Sequence, residues 1–350
     1  MKKALLISNI ATKFTNFIVP SIEVLQERGY EVHTCANYSN FKDDKTKYNI
    51  KMHHIDFQRN PFNLKNIKAY KQMQKLMKEE KFDLVHCNTP IGGVLGRICA
   101  KKMKVPKVIY TAHGFHFYKG APLINNVIYK NVEKLLARYT DILVTMNEED
   151  YKAAQKFKLR KNGKVMFIHG VGIDESRFNY EMTQEEKHEL RESLGIKDDD
   201  FVLIQVGELN KNKNQIMSIK AMNDLVKENK KIHLLLVGRG ELKEYYNNKI
   251  KEYNLVDNVH ILGYRMDIPK LMKISNVLLS LSYREGLPRS MMEAMAAGLP
   301  CVVSKIRGNI DLLEDKKGRI FMWNTRHKSN IKFNITTFKK WTNKKKNGAI

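Results

Sequence analysis

At 350 residues the chain is long for one ordinary domain and suits two of middle size, and its 43 % hydrophobic content fills real cores and excludes global disorder. The net charge is +25, of which residues 316–350 supply eleven Lys or Arg and no acid, leaving +14 for residues 1–315; such a surface favours anionic partners, namely nucleic acid, acidic headgroups or phosphorylated substrates. No apolar run reaches the roughly 20 residues of a membrane-spanning helix, and Cys35, Cys87, Cys99 and Cys301 are scattered without a Cys-x-x-Cys spacing, the pattern of a reduced, cytosolic protein lacking structural zinc.

The opening MKKALLISNI reads as a first strand, because Ser8 and Asn9 end its apolar run early and no small-residue cleavage site follows. Leu-rich or β-branched runs predict further strands at 31–35, 83–87, 107–112 and 141–146. A second series follows at 201–207, 233–238, 259–263, 277–282 and 301–304. Between them lie stretches such as NLKNIKAYKQMQKLMKEE and NQIMSIKAMNDLVKEN, whose apolar residues recur at three and four, the spacing of amphipathic helices. This alternation is the rhythm of βαβ units with parallel sheets. The two series are separated by a polar, charge-dense stretch (174–200) without a strand, whose middle reads as a short acidic-to-basic helix and whose end reads as a linker. The expected organisation is a first doubly wound α/β domain over 1–175, a linker over 176–200 and a second doubly wound domain over 201–318. A lysine- and asparagine-rich basic tail without helical period occupies 319–350. Ligands of such sheets bind at the carboxyl ends of the strands, which puts the expected site in a cleft between the two domains.

The stretch REGLPRSMMEAMAAGLP (284–300) carries two acids, Glu285 and Glu293, eight positions apart. Gly286 permits an unusual backbone and Pro288 suits the first turn of a helix, so the helix runs on from there and stops near Gly298 and Pro300. Glu285 then lies on the loop at the sheet's carboxyl edge and Glu293 between one and two turns into the helix. Amides at the helix start suit an anion. On spacing alone a loop glutamate and a surface helix glutamate explain the pair; the preceding strand and the flanking EGLP and EAMAAGLP argue for a site. The stretch resembles the Glu-x7-Glu signature of retaining family 4 glycosyltransferases of the GT-B type, in particular those building bacterial capsular and exopolysaccharides. The resemblance implies two Rossmann-like domains, Glu285 as the contact to the transferred sugar, and Glu293 as the ligand of the nucleotide's ribose hydroxyls. An ionised carboxylate is a strong acceptor for paired hydroxyls. Gly286, Leu287, Pro288 and Arg289, with Gly207, complete the implied nucleotide-binding set.

Further motifs follow the same resemblance. VGELNKNKNQ (206–215) is similar to the family's phosphate-binding loop, with Lys213 in the lysine position and Glu208 where relatives carry arginine. An acid there repels phosphate, so Glu208 must turn away or another cation must substitute, for which Arg289 is the candidate. In TAHGFHFYKG (111–120), His113 matches the histidine near the donor sugar and phosphate, Gly114 allows close backbone approach, and His116 reads as packing or acceptor-side. HGVGID (169–174) with Phe178 resembles the turn entering the inter-domain segment. VGRGE (237–241) resembles a turn near the nucleotide, and LGYRMDIP (262–269), with Tyr264 and Arg265, the segment where the base stacks. The resemblance spans about residues 1–318; the first loop lacks the Gly-Gly of many relatives.

The implied reaction moves a sugar from a nucleotide diphosphate sugar, taken as a uridine diphosphate sugar, to an acceptor hydroxyl with retention. The departing diphosphate itself takes the acceptor's proton. No cofactor or metal is expected: the acidic run at 198–200 reads as solvated charge. The expected acceptor is a lipid-linked saccharide, and the expected location is cytoplasmic, in peripheral contact with an anionic membrane at its inner face. Nucleic acid is not an expected partner, since no such motif appears and aromatics are not interleaved with the lysines. A dinucleotide oxidoreductase requires Gly-x-Gly-x-x-Gly after the first strand, where SNIATKF has no glycine. The alternatives are a sugar-nucleotide epimerase of the same fold and an inactive transferase with a frameshifted or truncated end.

Overall fold

The structure, a computed structural model, describes residues 1–15, 18–312 and 320–323. Internal contacts divide the chain into two units, Met1–Gly172 and Ile173–Ile350.

The first unit is a seven-stranded, all-parallel sheet in the order β3-β2-β1-β4-β5-β6-β7. Its elements in chain order are β1 (Lys2–Ile10), α1 (Val19–Glu27), β2 (Tyr30–Asn37), β3 (Lys51–His54), α2 (Lys65–Glu80), β4 (Leu84–Asn88), α3 (Pro90–Lys102), β5 (Lys107–Ala112), α4 (Leu123–Ala137), β6 (Ile142–Thr145), α5 (Glu148–Ala154) and β7 (Lys164–Phe167). A central parallel strand is covered on both faces and reads as an unbroken apolar run; Ala4, Leu5, Leu6 and Ile7 of β1 are all fully buried. Leu5 and Ile7 pack with Met73 of α2, Cys99 of α3 and Tyr110 of β5. Leu6, on the opposite face, meets Ile22 of α1. The buried positions of α2 (Asn66, Ala69, Met73, Leu76, Met77) repeat at three and four, as expected for one apolar stripe.

The second unit is a six-stranded parallel sheet in the order β10-β9-β8-β11-β12-β13. Its elements are α6 (Gln184–Glu192), β8 (Phe201–Val206), α7 (Gln215–Glu228), β9 (Ile232–Val237), α8 (Lys243–Glu252), β10 (Val259–Gly263), α9 (Ile268–Lys273), β11 (Val277–Ser280), α10 (Arg289–Ala296), β12 (Cys301–Ser304) and β13 (Ile320–Trp323). Leu203 and Leu234 face Ile219 of α7 and Tyr246 of α8 on one side of the sheet. Ile204, Leu235 and Leu278 face Met291 of α10 and Leu271 of α9 on the other. Helices therefore cover both faces of each sheet.

All ten strands expected from sequence are present. Among the described residues three more escaped the periodicity. β3 and β7 are four-residue edge strands, KMHH and KVMF, each with two exposed and two half-buried residues, and only their pairing with β2 and β6 defines them. β13 lies in the stretch read as a basic tail and pairs parallel with β12, Val302 opposite Phe321; the rest of 319–350 is outside the described residues. The stretch read as a linker, 176–200, contains α6 with a reciprocal cap between Thr183 and Glu186. Its Phe178, Met182 and Ile196 are buried in the second unit's core.

Candidate active site

In the second sheet β8 pairs with β9 on one side and with β11 on the other, Leu203 lying opposite Val277. The winding direction reverses between β8 and β11, and the carboxyl ends of the strands at such a reversal are the usual ligand position in this architecture. Lys213 lies in the loop after β8 and Glu285 in the loop after β11. Lys213 Nζ donates to Glu285 Oε1 at 2.6 Å. The two loops are stitched together by asparagines. Asn212 Nδ2 donates to Arg284 O (2.9 Å), Tyr283 N donates to Asn212 O (2.9 Å), and Asn214 Nδ2 donates to Leu281 O (3.1 Å). Asn210 Oδ1 accepts from Lys213 N at 2.9 Å. The run NKNKN thus aims Lys213, a role that its polar composition alone did not disclose. The lysine stem lies over Gly207, its Cδ 3.3 Å from where a Cβ would stand.

Pro288 precedes α10 with extended backbone, and the helix proper starts at Arg289. Glu293 is in its second turn, 9 % exposed, and Arg289 Nε donates to Glu293 Oε1 at 2.8 Å across one turn. Burial holds the Glu293 carboxyl above the usual carboxylate range, opposed by the guanidinium groups of Arg289 and Arg177. Arg177, in the segment entering this unit, is a neighbour that the sequence did not signal. Leu287 is half-buried and Pro288 buried, with a bend at Gly286. A Cβ on Gly308, which has a φ of +78°, would stand 2.4 Å from Gly286 O. Only glycine lets the turn after β12 back against the Glu285 turn. Similarly, a Cβ on Gly238 would stand 1.9 Å from Gly207 O, so the turn after β9 supports the lysine loop.

Glu208 is exposed and accepts from Asn210 Nδ2 at 3.1 Å, outside the Lys213–Glu285 contact. Arg239 of VGRGE lies over the ring of Tyr264, 5.6 Å from its centroid, and Arg265 is bonded to Asp267.

In the first unit the winding reverses between β1 and β4. Asn9 Oδ1, at the end of β1, accepts from Gly92 N of α3 at 2.6 Å. His113 follows β5, with Nε2 3.2 Å from Asn88 Oδ1 at the end of β4. Burial, with a smaller push from His86, lowers its pKa to about 3, so the ring is neutral at pH 7. A neutral ring donating from Nε2 to Asn88 keeps Nδ1 as an acceptor. Its loop is tied to α5, where Asp150 Oδ2 accepts from Phe115 N at 2.9 Å. His116 packs against Tyr129 of α4, ring centroids 5.2 Å apart. Lys213, Glu285, Arg289 and Glu293 therefore share one sheet edge in the second unit, with Gly207 and Gly286–Pro288 as its backbone. His113 belongs to the first unit.

Residues 3–147 match the family described as Glycosyl transferase 4-like, and residues 186–335 the family described as Glycosyl transferases group 1. EpsD of Bacillus subtilis is 36 % identical over 316 residues, which cover 90 % of this chain and 81 % of EpsD. The chain belongs to the family 4 glycosyltransferases of the GT-B type. An Escherichia coli UDP-Gal:alpha-D-GlcNAc-diphosphoundecaprenol alpha-1,3-galactosyltransferase is 34 % identical over 72 % of this chain and 65 % of its own length. The crystal structure of Anabaena HepE in complex with UDP and glucose superposes on the glycosyltransferase with a TM-score of 0.74 at 20 % identity, covering 98 % of this chain and 91 % of HepE. This likeness establishes the shared fold. As an enzyme, the protein is a glycosyltransferase of the EC 2.4 class, and family membership favours transfer over the epimerase alternative.

Proposed function

We propose that this glycosyltransferase moves a sugar from a uridine diphosphate sugar to a lipid-linked saccharide, with retained configuration, in the assembly of a bacterial capsular or exopolysaccharide. The observation that carries the reading is the Lys213–Glu285 ion pair at the carboxyl edge of β8 and β11, with the buried Glu293 eight residues farther along the chain. A diphosphate arriving there offers Lys213 a stronger anion than Glu285, and the exchange frees the Glu285 carboxylate for a hydroxyl of the transferred sugar. Glu293 accepts from the ribose hydroxyls, while Arg289 and the first amides of α10 face the phosphates. Arg289 thereby replaces the cation displaced by Glu208.

In the proposed step the acceptor oxygen bonds to the anomeric carbon on the face from which the diphosphate departs. The carbon–phosphate oxygen bond breaks with its electron pair, and the acceptor's proton passes to that leaving oxygen. His113, neutral, hydrogen-bonds the donor sugar. Cations of the chain take the charge of the diphosphate, so no metal has a part in the reaction as proposed. The uridine donor and the undecaprenyl-diphosphate acceptor of the E. coli relative support this substrate pair. A lipid-linked acceptor places the work at the cytoplasmic face of the membrane; no helix among the described residues is long and apolar enough to cross one.

A panel of uridine and guanosine diphosphate sugars, incubated with an undecaprenyl-diphosphate-linked sugar, tests the proposal. Released UDP with a lengthened lipid-linked glycan is expected; an isomerised nucleotide sugar with unmodified lipid would overturn it. Glu293→Ala is expected to weaken nucleotide binding by about tenfold or more, and Glu285→Ala to slow turnover by about a hundredfold with nucleotide affinity little changed. A chelator should leave the rate within about twofold.

A further inference from the structure

We propose that His33, His53 and Glu80 form a zinc site that clamps the edge of the first sheet to α2. Three elements supply the ligands: β2 carries His33, the edge strand β3 carries His53, and Glu80 ends α2. Among the described residues they are the one group of His, Cys, Asp and Glu side chains whose donor atoms converge to metal-binding spacing, one atom from each lying within 4.8 Å of the others. His33 is fully buried and its ring is held in place. Its Nε2 lies 2.7 Å from Glu31 Oε1 and its Nδ1 2.9 Å from His53 Nε2, while Phe82 packs edge-on against it, ring centroids 5.0 Å apart. A carboxylate that takes the Nε2 proton leaves Nδ1 with its lone pair turned toward the partner ring, the arrangement that prepares a histidine as a metal ligand. His53 and Glu80 are half-buried and so reachable from solvent. Glu80 also stands at the carboxyl end of a sixteen-residue helix, where the helix dipole favours a cation.

The donor set decides the metal. Two imidazole nitrogens and one carboxylate oxygen suit Zn²⁺ with water in the fourth position; Mg²⁺ and Ca²⁺ take oxygen ligands. Tetrahedral zinc holds its nitrogens roughly 3.3 Å apart, so the histidine pair must open by about half an ångström. A four-residue edge strand can make that movement. Glu80 must exchange its present partner, Lys3 Nζ at 2.5 Å, for the metal, and Lys3 keeps Glu31 Oε1 at 4.0 Å. A hydrogen bond between the rings accounts for two histidines by itself, and the second sheet shows that bond alone. There His233 and His260 meet in the same way, with Asp200 on the leading ring, yet among the described residues no third ligand converges on them. What the first sheet adds is Glu80. The scattered cysteines argued against structural zinc, but this site uses none of them, and its ligands come together only through the fold. It lies where α2 ends and β1 begins, toward the amino edge of the sheet, whereas His113 follows the carboxyl end of β5. The zinc therefore has no part in sugar transfer, and the site does not depend on the substrate reading.

Calorimetric titration of the metal-stripped chain with zinc chloride tests the assignment. The wild-type chain should bind one equivalent of Zn²⁺, and zinc at a hundredfold above the dissociation constant should raise the thermal midpoint of the first unit by about 5 °C or more. Cobalt in place of zinc should give the visible absorption of a tetrahedral ion. His53→Gln and Glu80→Gln should each weaken zinc binding by about a hundredfold or more, and Glu31→Gln, which loosens the His33 ring, by about tenfold. Lys3→Met removes the cation that competes for Glu80 and should tighten binding by about threefold. His260→Asn should bind zinc as the wild type does. Each of these variants should keep the wild-type transferase rate. Zinc held equally by the wild type and by the His53 and Glu80 variants, an adventitious ion only, would overturn the proposal. So would loss of zinc in His260→Asn, or a bound zinc that leaves the midpoint unmoved. A wild-type chain that transfers sugar yet binds no zinc at millimolar concentration would remove the site and leave the transferase reading intact.

Discussion

Glu293 is a carboxylate held mostly out of water, and its pKa reflects a contest. Burial favours the protonated form, while Arg289 and Arg177 favour the ionised one. In the proposed role of ribose ligand the ionised form is the stronger acceptor for two hydroxyls, so nucleotide affinity should fall as the pH approaches the raised carboxyl pKa from above. Arg289→Gln removes one opposing cation and should move the midpoint of that fall upward by about half a unit or more, read by calorimetry across pH. An unmoved midpoint would detach Arg289 from Glu293. Lys213 faces a different test. Lys213→Ala should lower turnover by about a hundredfold or more. In a double-mutant cycle Lys213→Ala and Glu285→Ala should be strongly non-additive, because the two groups contact each other at 2.6 Å.

The turns that aim these side chains depend on close backbone approach between elements. The turn after β12 meets the Glu285 turn through Gly308, and a methyl group there would press on Gly286 O. Gly308→Ala should cost about 2–4 kcal/mol in urea unfolding and displace Glu285, so turnover falls as well. Gly298, just past the end of α10, has a similar φ of +69° but open space around it. Gly298→Ala should cost only about 1 kcal/mol and leave turnover alone. Equal costs for the two would mean that the contact with Gly286 is unimportant. Sequence periodicity found the central strands because two-sided burial demands unbroken apolar runs, as in ALLI of β1. It missed KMHH and KVMF because an edge strand is specified by its neighbour's unpaired backbone rather than by its own side chains.

Across the whole molecule, each sheet carries a histidine pair in the same place. His33 Nδ1 meets His53 Nε2 at 2.9 Å, and His233 Nδ1 meets His260 Nε2 at 3.1 Å. In each pair the second histidine lies opposite the residue two beyond the first, Cys35 and Leu235 respectively. Each leading ring also bonds a carboxylate, Glu31 or Asp200. Burial lowers the pKa of His53, and lowers His260 and His86 from 6.5 to about 4. Between those values the unfolded chain binds protons that the folded chain refuses. Stability present above about pH 6.5 should therefore drain away as the pH falls toward 4, at roughly 1.4 kcal/mol for each unit of pKa depression. Urea unfolding at a series of pH values reads this directly, and His260→Asn should flatten the slope; an unchanged slope would absolve that pair. The sequence by itself determined the parallel α/β class with two Rossmann-like units and carried the Glu-x7-Glu resemblance, because buried strands and tight turns leave strong local patterns. Only the tertiary structure decided that Lys213 pairs with Glu285 and that asparagines hold the two loops together. The same is true of the placement of 176–200 on the second core. These depend on contacts between segments far apart in the chain, which local composition does not encode.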